Sequence, residues 1–212
     1  MDYDKTWDKV SLSAELKFSH ILTENSFAFF NIEGTRSTLD STKSNDFNYT
    51  ENVAAAFANV NYKFNPFFTV NAGVRAENTD SHGQLIADID INNKDVKRSY
   101  LNFFPNVSLS FDKQEDHAWN LSLGRRITRP NYQDLNPFET PTSQLVIWQG
   151  NPFLNPSYSM NYQLSYSYKQ KYVITAAYTE TSDFFAKLIE TTGEFSSQII
   201  QRNLDNVENL AI

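Results

Sequence analysis

Residues 158–168 read YSMNYQLSYSY, and every second side chain in this stretch is apolar or aromatic. The positions between them carry Ser, Asn or Gln, so the stretch has a strict period of two. Because successive side chains of a β-strand point to opposite faces of a sheet, this pattern predicts a strand with one apolar and one polar face. The predicted strand is about twice as long as the average of about 5–6 residues in soluble proteins.

The same alternation recurs along the chain and predicts an antiparallel up-and-down meander of about nine long strands. The predicted strands cover, in chain order, residues 11–19, 27–36, 49–64, 68–77, 101–111, 119–128, 158–168 and 172–178, with parts of one or two more between 184 and 210. The predicted connections are short at 22–26, 65–66, 112–116 and 169–171, and long at 37–47, 80–97 and 129–156.

Short turns at one end of a sheet and long loops at the other are typical of outer-membrane barrels, whose tilted strands need roughly 9–11 residues to span the membrane. Aromatic residues stand at several strand ends, where such barrels carry aromatic girdles. We therefore predict an all-β fold that forms part of a transmembrane β-barrel, with residues 1–212 as a single partial-barrel domain. A soluble β-sheet protein, whose strands also alternate, is the alternative.

Composition limits the class of protein further. The net charge is −7 and no basic stripe is present, so no nucleic-acid partner is expected. The absence of cysteine excludes disulfides and thiol catalysis. An aromatic content of 15% with a mean hydropathy of −0.51 suits strands with one aromatic and one polar face. The N-terminus has no apolar signal region and the C-terminus ends without a turn, so we expect a segment of a longer chain.

The residues that usually catalyse reactions or bind metals form no convincing group. His20, His82 and His117 fall in or beside three different connections, without the spacing of metal ligands. Residues 88–95, DIDINNKD, are rich in oxygen ligands but lack the glycine and the terminal glutamate of an EF-hand, so calcium binding is a minor hypothesis. No nucleophile motif, phosphate-binding loop or Ser-His-Asp set is found. We predict no cofactor, no metal site and no enzymatic activity.

The most specific motif lies in RRITRPNYQDLNPF at 125–138 and in QGNPFLNPSYSMNYQLSYSY at 149–168. It resembles the TonB-dependent-receptor-like outer-membrane β-barrel proteins that are abundant in Bacteroidetes-type bacteria. In that family an Arg-Arg-x-x-Arg-Pro segment leads into Tyr-x-Asp-Leu-Asn-Pro-Phe, and a Gly-Asn-Pro-x-Leu-x-Pro segment and a Tyr/Ser-rich strand follow. The matching positions are Arg125, Arg126, Arg129, Pro130, Tyr132, Asp134, Leu135, Asn136, Pro137 and Phe138, then Gly150, Asn151, Pro152, Leu154 and Pro156.

The resemblance, which covers roughly residues 47–207, implies a barrel of about 22 strands with a plug inside. It implies location in the outer membrane of a Gram-negative bacterium and uptake of a nutrient, energised through TonB. Fewer than half of those strands are predicted here, and no plug, TonB box or N-terminal sandwich domain is recognised. We therefore expect a fragment that contacts outer-membrane lipid and reaches TonB only through a plug absent from this chain. Its two open sheet edges could pair with another copy.

Within the motif, a structural role and a ligand-binding role are both open for the arginines. Adjacent strand residues point to opposite faces, so Arg126 is predicted to face the lumen and Arg125 the outer rim. Together with Arg129 they could bind lipopolysaccharide or an acidic substrate. Salt bridges to Asp134 and Glu139 that fix the loop are the favoured interpretation.

The Asn-Pro pairs that begin at Asn136, Asn151 and Asn155 are predicted to shape the loop, because Asn-Pro favours extended and turn geometry. Tyr132 and Trp148 could stack on a sugar ring or fasten the loop to the barrel rim. Arg126, Tyr132 and Trp148 are therefore the candidate ligand contacts.

The favoured function is a non-catalytic segment of an outer-membrane receptor for TonB-dependent uptake of a nutrient. The alternative function is a soluble, secreted β-sheet module that binds glycan through Tyr132 and Trp148. A third interpretation, a barrel enzyme of the lipase or protease type, lacks its nucleophile.

Overall fold

The computed structural model describes residues 2–113, 116–193 and 196–212, most of which lie in β-strands. In chain order the strands are β1 (Asp2–Thr6), β2 (Val10–Phe27), β3 (Phe30–Glu33), β4 (Arg36–Leu39), β5 (Asn45–Asn65), β6 (Phe68–Ala87), β7 (Asp95–Lys113), β8 (His117–Thr128), β9 (Glu139–Pro141), β10 (Val146–Gln149), β11 (Ser157–Tyr168), β12 (Tyr172–Ser182), β13 (Phe185–Thr191), β14 (Ser197–Asn203) and β15 (Val207–Ala211). Two short 3₁₀ helices lie at Ser41–Lys43 and Tyr132–Leu135. Over these ranges, no helix is long and apolar enough to cross a membrane.

Nine strands form one antiparallel sheet in the order β1-β2-β5-β6-β7-β8-β11-β12-β15. Short connections join β1 to β2, β5 to β6, β7 to β8 and β11 to β12 at one end, and the longer connections lie at the other end. The predicted all-β meander of nine strands is confirmed. The tight turn predicted at 112–116 falls partly on residues 114–115, which lie outside the described residues. In the described part of the chain β1 and β15 end the sheet, and no pairing joins them.

The prediction for the first strands is wrong. Residues 22–26, predicted to be a connection, continue β2, which pairs with β5 over its whole length. The segment 27–36, predicted to be a wall strand, contributes instead to the small hairpin of β3 and β4. The wall strand that was missed is β1. Residues 22–26 stay extended because pairing with β5 satisfies their backbone groups, which outweighs their low strand propensity.

Three neighbouring strands of the sheet, β5, β6 and β7, are much longer than predicted. β5, β6 and β7 contain 21, 20 and 19 residues. The predicted long loop at 80–97 is therefore mostly strand, and its connection shrinks to residues 88–94. We call the parts of these strands on the long-loop side, residues 45–53, 77–87 and 95–100, the upper wall.

One face of the sheet carries a continuous band of apolar side chains. The registers place Val70 opposite Leu109, Leu109 opposite Leu121 and Leu121 opposite Leu164, so these side chains share one face. We call this surface the apolar band; it is formed by alternate residues of segments 10–18, 54–64, 68–76, 101–111, 119–127, 158–168 and 172–178. Most of these segments have the roughly 9–11 residues that a tilted strand needs to cross a membrane.

Aromatic side chains collect at the short-turn end of the apolar band. The rings of Tyr62 and Phe64 meet edge to face with centroids 4.5 Å apart, and the ring of Phe68 lies 5.4 Å from that of Phe64. Further along the sheet, the ring of Trp119 lies 4.4 Å from that of Tyr166. This arrangement matches the aromatic girdle that outer-membrane barrels place at the edge of the hydrocarbon layer.

A seam divides the sheet between β7 and β8. Their pairing ends at Asn106 and Gly124, although both strands continue towards the long loops. Pro105, the next residue of β7, has no N–H to donate, and proline is tolerated where a strand lacks a neighbour. Arg125 fills the gap: its Nη1 donates to the Phe103 carbonyl at 2.9 Å. A side-chain hydrogen bond thus takes the place of the backbone hydrogen bonds that are missing between the two strands.

The long connections add a second layer of structure. β9 and β10 come from the connection between β8 and β11, and β13 and β14 from that between β12 and β15. They form a four-stranded sheet in the order β13-β14-β10-β9, in which β10 and β14 run parallel. The connection between β13 and β14 includes residues 194–195, which lie outside the described residues.

Candidate functional site

Residues 129–156, which we call the signature loop, lie across the inner face of the upper wall, opposite to the face of the apolar band. Phe138 of the loop, 1% exposed, packs against Phe47 of β5 and Leu85 of β6 to form a hydrophobic core. Leu154, near the end of the loop, is completely buried. The signature loop is therefore a folded layer with its own core on the wall.

Two of the three Asn-Pro pairs close turns within the signature loop. The Oδ1 atoms of Asn136 and Asn151 accept hydrogen bonds from the backbone N–H groups of Phe138 and Phe153, each at 3.0 Å. Each bond spans a proline, which has no N–H of its own. The Nδ2 of Asn136 also donates to Asn45 Oδ1 at 3.3 Å, which joins the loop to β5.

Gly150 allows the two halves of the motif to dock on each other. Its N–H donates to the carbonyl of Asn136 at 2.9 Å, and the N–H of Asn151 donates to the carbonyl of Asp134 at 2.6 Å. A Cβ at position 150 would collide with the Asn136 carbonyl and would lie 2.7 Å from that of Asp134. Only glycine fits this close backbone approach.

Arg129, the first residue of the signature loop, enters a cluster of buried polar side chains on the upper wall. Its Nη2 donates to Glu77 Oε1, and also to Thr79 Oγ1 at 2.9 Å. Glu51 Oε1 lies 4.0 Å from its Nε, and Glu77 Oε2 lies 2.6 Å from Nη2 of Arg75. Glu77 is only 3% exposed, and its buried carboxylate is paired with these two arginines.

The predicted ion-pair partners of this arginine are therefore wrong. Among the described residues, Arg129 pairs with Glu77 and Glu51 rather than with Asp134 and Glu139. Sequence reasoning missed the two wall glutamates because it treated their segments as plain alternating strand and loop. The signal in the sequence was Glu77, a carboxylate at an inward-facing position of β6, where most other inward-facing residues are neutral.

Burial also changes the titration of the tyrosines around this cluster. Burial raises the pKa of the Tyr49 phenol, and the negative charge of Glu51, whose Oε2 accepts its hydrogen bond at 2.9 Å, raises it further. Burial likewise raises the pKa of Tyr100, against the opposing effect of the Arg129 charge. Both phenols therefore keep their protons to more alkaline pH than exposed tyrosines do.

The inner face of the sheet below the signature loop is a polar concavity of about 870 Å³, which we call the inner trough. Its lining includes the charged side chains of Glu15, Lys17, Arg75 and Arg126. Amide and hydroxyl groups supply much of the remainder of its lining, from Asn106, Ser108, Ser122, Asn161 and Gln163. Its volume is within the range of about 300–1,000 Å³ that is usual for ligand pockets.

The three candidate ligand contacts lie in three different places. Arg126 is exposed in the inner trough, on the face opposite to Arg125, whose guanidinium lies 4.5 Å from the ring centroid of Tyr158. Tyr132 lies in the 3₁₀ helix of the signature loop and is half-buried. Trp148 lies in β10, opposite Thr140 of β9 and Ile199 of β14. The structure does not bring Tyr132 and Trp148 to the trough.

The signature loop is joined to the connection between β12 and β15. Asn151 Nδ2 donates to the Gln201 carbonyl at 3.3 Å. Asn155 exchanges two bonds with Asn203: its N–H donates to Asn203 Oδ1 at 2.8 Å, and its carbonyl accepts from Asn203 Nδ2 at 3.0 Å. With the parallel pairing of β10 and β14, these bonds make one unit of the two connections.

The described residues contain no group of three or more His, Cys, Asp or Glu side chains arranged to hold a metal ion. In the oxygen-rich run at 88–95, Asp95 instead contacts His82, whose Nε2 lies 3.0 Å from Asp95 Oδ2. His20 and His117 contact Asn52 and Tyr166, at 2.7 Å each. The three histidines therefore stay separate.

A family model described as the outer membrane protein beta-barrel family matches residues 1–212. The chain belongs to this family. Its place is therefore the outer membrane of a Gram-negative bacterium, where the apolar band of this outer-membrane β-barrel protein meets lipid. A search of curated proteins finds no match.

Solved structures share the fold at low sequence identity. The copper transporter OprC is 12% identical with a TM-score of 0.72, over 98% of this chain and 33% of that chain. The Serratia marcescens hemophore receptor HasR, solved as a double mutant with its hemophore HasA and heme, is 13% identical with a TM-score of 0.59, over 95% and 39%. The ferric yersiniabactin uptake receptor FyuA from Yersinia pestis is 18% identical with a TM-score of 0.53, over 85% and 27%. The chain thus spans between about a quarter and two fifths of these structures.

Proposed function

We propose that this chain forms part of the wall and of the extracellular mouth of an outer-membrane receptor that imports a nutrient by a TonB-dependent mechanism, without catalysis. The observation that carries the proposal is the division of one sheet into an outward apolar band and an inner polar trough, with the signature loop packed on the upper wall beyond the trough. A wall of a lipid-embedded import path needs both surfaces.

The upper wall supports this function. It continues β5, β6 and β7 beyond the apolar band, and its inner face is covered by a loop that is itself packed and hydrogen-bonded. Such a layer can select ligands at an extracellular mouth, because binding residues act best when a rigid scaffold positions them. In the proposed receptor, TonB acts through a plug inside the complete barrel rather than on this chain.

Family membership removes the soluble glycan-binding module as an alternative. A barrel enzyme finds no support in the site, since the described polar cluster around Arg129 consists of mutually paired groups with no activated nucleophile. The fold neighbours named above as a transporter and two receptors are consistent with import.

The proposal is tested by nutrient depletion in the native bacterium. The spent medium of three strains is compared by mass spectrometry: wild type, a deletion of the gene for this protein, and a deletion of TonB. We expect at least one compound that the wild type removes and that both mutants leave in the medium. Complementation with the full-length gene should restore its removal.

A compound that is spared by the receptor deletion but still removed without TonB would contradict energised uptake, and would indicate a passive pore. A medium that the receptor deletion leaves identical to that of the wild type, over carbon sources that support growth, would contradict import altogether.

A further inference from the structure

We propose that Arg75 and Arg126 form an anion-binding site in the inner trough, which binds a ligand that carries carboxylate or phosphate groups. This inference deepens the proposed uptake function and rests on it, because it names the chemical class of the imported compound.

The sheet register places the two arginines at one level. Arg75 of β6 is opposite Phe104 of β7, and Asn106, two residues along β7, is opposite Gly124 of β8. Arg126 lies two residues beyond Gly124 and is therefore level with Phe104. The two arginines thus lie on either side of Phe104, and all three residues line the inner trough. Because both side chains line the same concavity, they can converge on one ligand.

The charge balance of the trough favours an anion, although the whole chain has a net charge of −7. Lys17, Arg75, Arg125 and Arg126 line the trough together with Glu15 and Glu77. Glu77 is already shared between two cations, Arg75 and Arg129. Among the described residues, Arg126 and Lys17 take part in no ion pair. A positive excess therefore remains on this part of the inner face.

Arg75 is held in place before any ligand arrives. Its Nη2 contacts Glu77 Oε2 at 2.6 Å, while 42% of its side chain stays exposed to the trough. Its Nε is buried and has no hydrogen-bond partner. A side chain that is already held by an ion pair, and still exposed to the ligand, loses less conformational entropy when the ligand binds.

Guanidinium groups bind carboxylate and phosphate through two parallel N–H donors, which a neutral hydroxyl cannot accept in the same way. The Asn106 and Asn161 amides that line the trough can hydrogen-bond the uncharged part of the same ligand. A cationic ligand would be repelled by the arginines. The chemistry of the lining therefore points to a hydroxylated or amide-bearing anion.

The test uses the full-length receptor in detergent at low ionic strength, with citrate, inorganic phosphate, glucose 6-phosphate and glucose as probes in titration calorimetry. We expect binding of at least one of the three anions and none of glucose. Arg126→Gln should weaken that binding at least tenfold. Raising the salt concentration to about 0.5 M should weaken it too, because exposed charges are screened.

Arg126→Gln is the decisive variant, since Arg126 has no described ion pair whose loss would disturb the fold. Arg75→Gln should reduce binding similarly, and the heat-modifiable migration of the folded barrel checks that the variant folds. Arg36→Gln is the matched control: it removes one exposed arginine from the β3–β4 hairpin, outside the trough, and should leave binding unchanged.

The proposal is overturned if none of the anions binds, if glucose binds as tightly as glucose 6-phosphate, or if Arg126→Gln binds like the wild type. A loss of binding in Arg36→Gln equal to that in Arg126→Gln would also overturn it, because binding would then depend on overall charge. TonB-dependent depletion of a neutral compound would leave the proposed function intact and remove only the anion site.

Discussion

The apolar band and the upper wall are parts of the same strands, yet their apolar residues face in opposite directions. On β5, the apolar residues of the band are Ala54, Ala56, Ala58 and Val60, which face outwards. In the upper wall the buried residues of the same strand are Asn45, Phe47, Glu51 and Val53, which face inwards. The surroundings explain the difference: lipid surrounds the band, whereas water surrounds the upper wall. The apolar side chains of the upper wall are covered from the inside by the signature loop and by Ile89 and Ile91 of the β6–β7 connection.

This change in the face that carries the apolar residues explains which parts of the strands could be predicted from the sequence. In the band one rule, apolar outwards and polar inwards, holds at most positions, with exceptions such as Arg125 outwards and Phe104 inwards. The period of two can therefore be recognised in stretches such as 158–168. In the upper wall the hydrophobic phase shifts by one residue near Asn52. Segments 80–87 and 95–97 consequently look like a polar loop, although backbone pairing keeps them in strands.

The candidate site was only partly predictable for a related reason. Local signals such as Asn-Pro and Gly-Asn-Pro correctly indicate that the chain between β8 and β11 is shaped by turns. The partners of Arg129 depend on the register of β5 and β6, and no spacing along the chain reports that Glu77 and Thr79 lie beneath residue 129. Long-range register is the information that a single sequence lacks.

The largest effect on the stability of the upper wall is expected from removal of its buried carboxylate, Glu77. Glu77→Ala leaves Arg75 and Arg129 without their shared partner, and breaking a buried ion pair costs about 3–5 kcal/mol. We expect urea to release the signature loop at a lower concentration, measured by hydrogen exchange of residues 130–156 in the full-length protein. Glu190→Ala removes one partner of the exposed pair with Arg202, 2.5 Å apart, and should have little effect. Equal exchange in both variants would refute the anchoring role of Glu77.

The apolar band is tested by a cation on its outward face. Leu164→Arg should destabilise the full-length barrel by about 2–4 kcal/mol, as a lipid-facing cation near the midplane does. Ser165→Arg, one residue further on the inner face, should be much milder. Reversible unfolding in lipid vesicles measures both variants. If they cost the same, the assignment of the lipid face fails.

The docking of the two motif halves is tested at Gly150. Gly150→Ala forces a Cβ against the carbonyls of Asn136 and Asp134, and we expect a cost of about 1–3 kcal/mol, as for overpacking. Gly124→Ala is the control on the inner face of β8, because its Cβ would meet only ordinary contacts at 3.9 Å. Protease sensitivity of the signature loop should rise in the first variant alone. A resistant loop in Gly150→Ala would contradict the close backbone approach.

Alkaline pH should weaken the upper wall through Tyr49. Because its pKa is raised in the folded state, the folded protein holds the phenol proton more tightly than the unfolded chain, whose tyrosines titrate near 10. This contribution to stability is complete below about pH 10 and is lost as the pH rises further. We expect protection of the signature loop to fall above that pH, and to fall less steeply in Tyr49→Phe. Identical pH profiles would exclude Tyr49 as the cause.

The seam between β7 and β8 has a mechanical consequence. Strands that are hydrogen-bonded along their whole length resist shear together. The pairing of β7 with β8 instead ends part-way along the two strands, and a hydrogen bond from the guanidinium of Arg125 takes the place of the missing backbone hydrogen bonds. The sheet therefore behaves as two panels, which are groups of fully paired strands: one with the longer strands, which ends at β7, and one with the shorter strands, which begins at β8. When the chain is pulled from its ends, we expect the panels to part along this line and each to yield as a separate step.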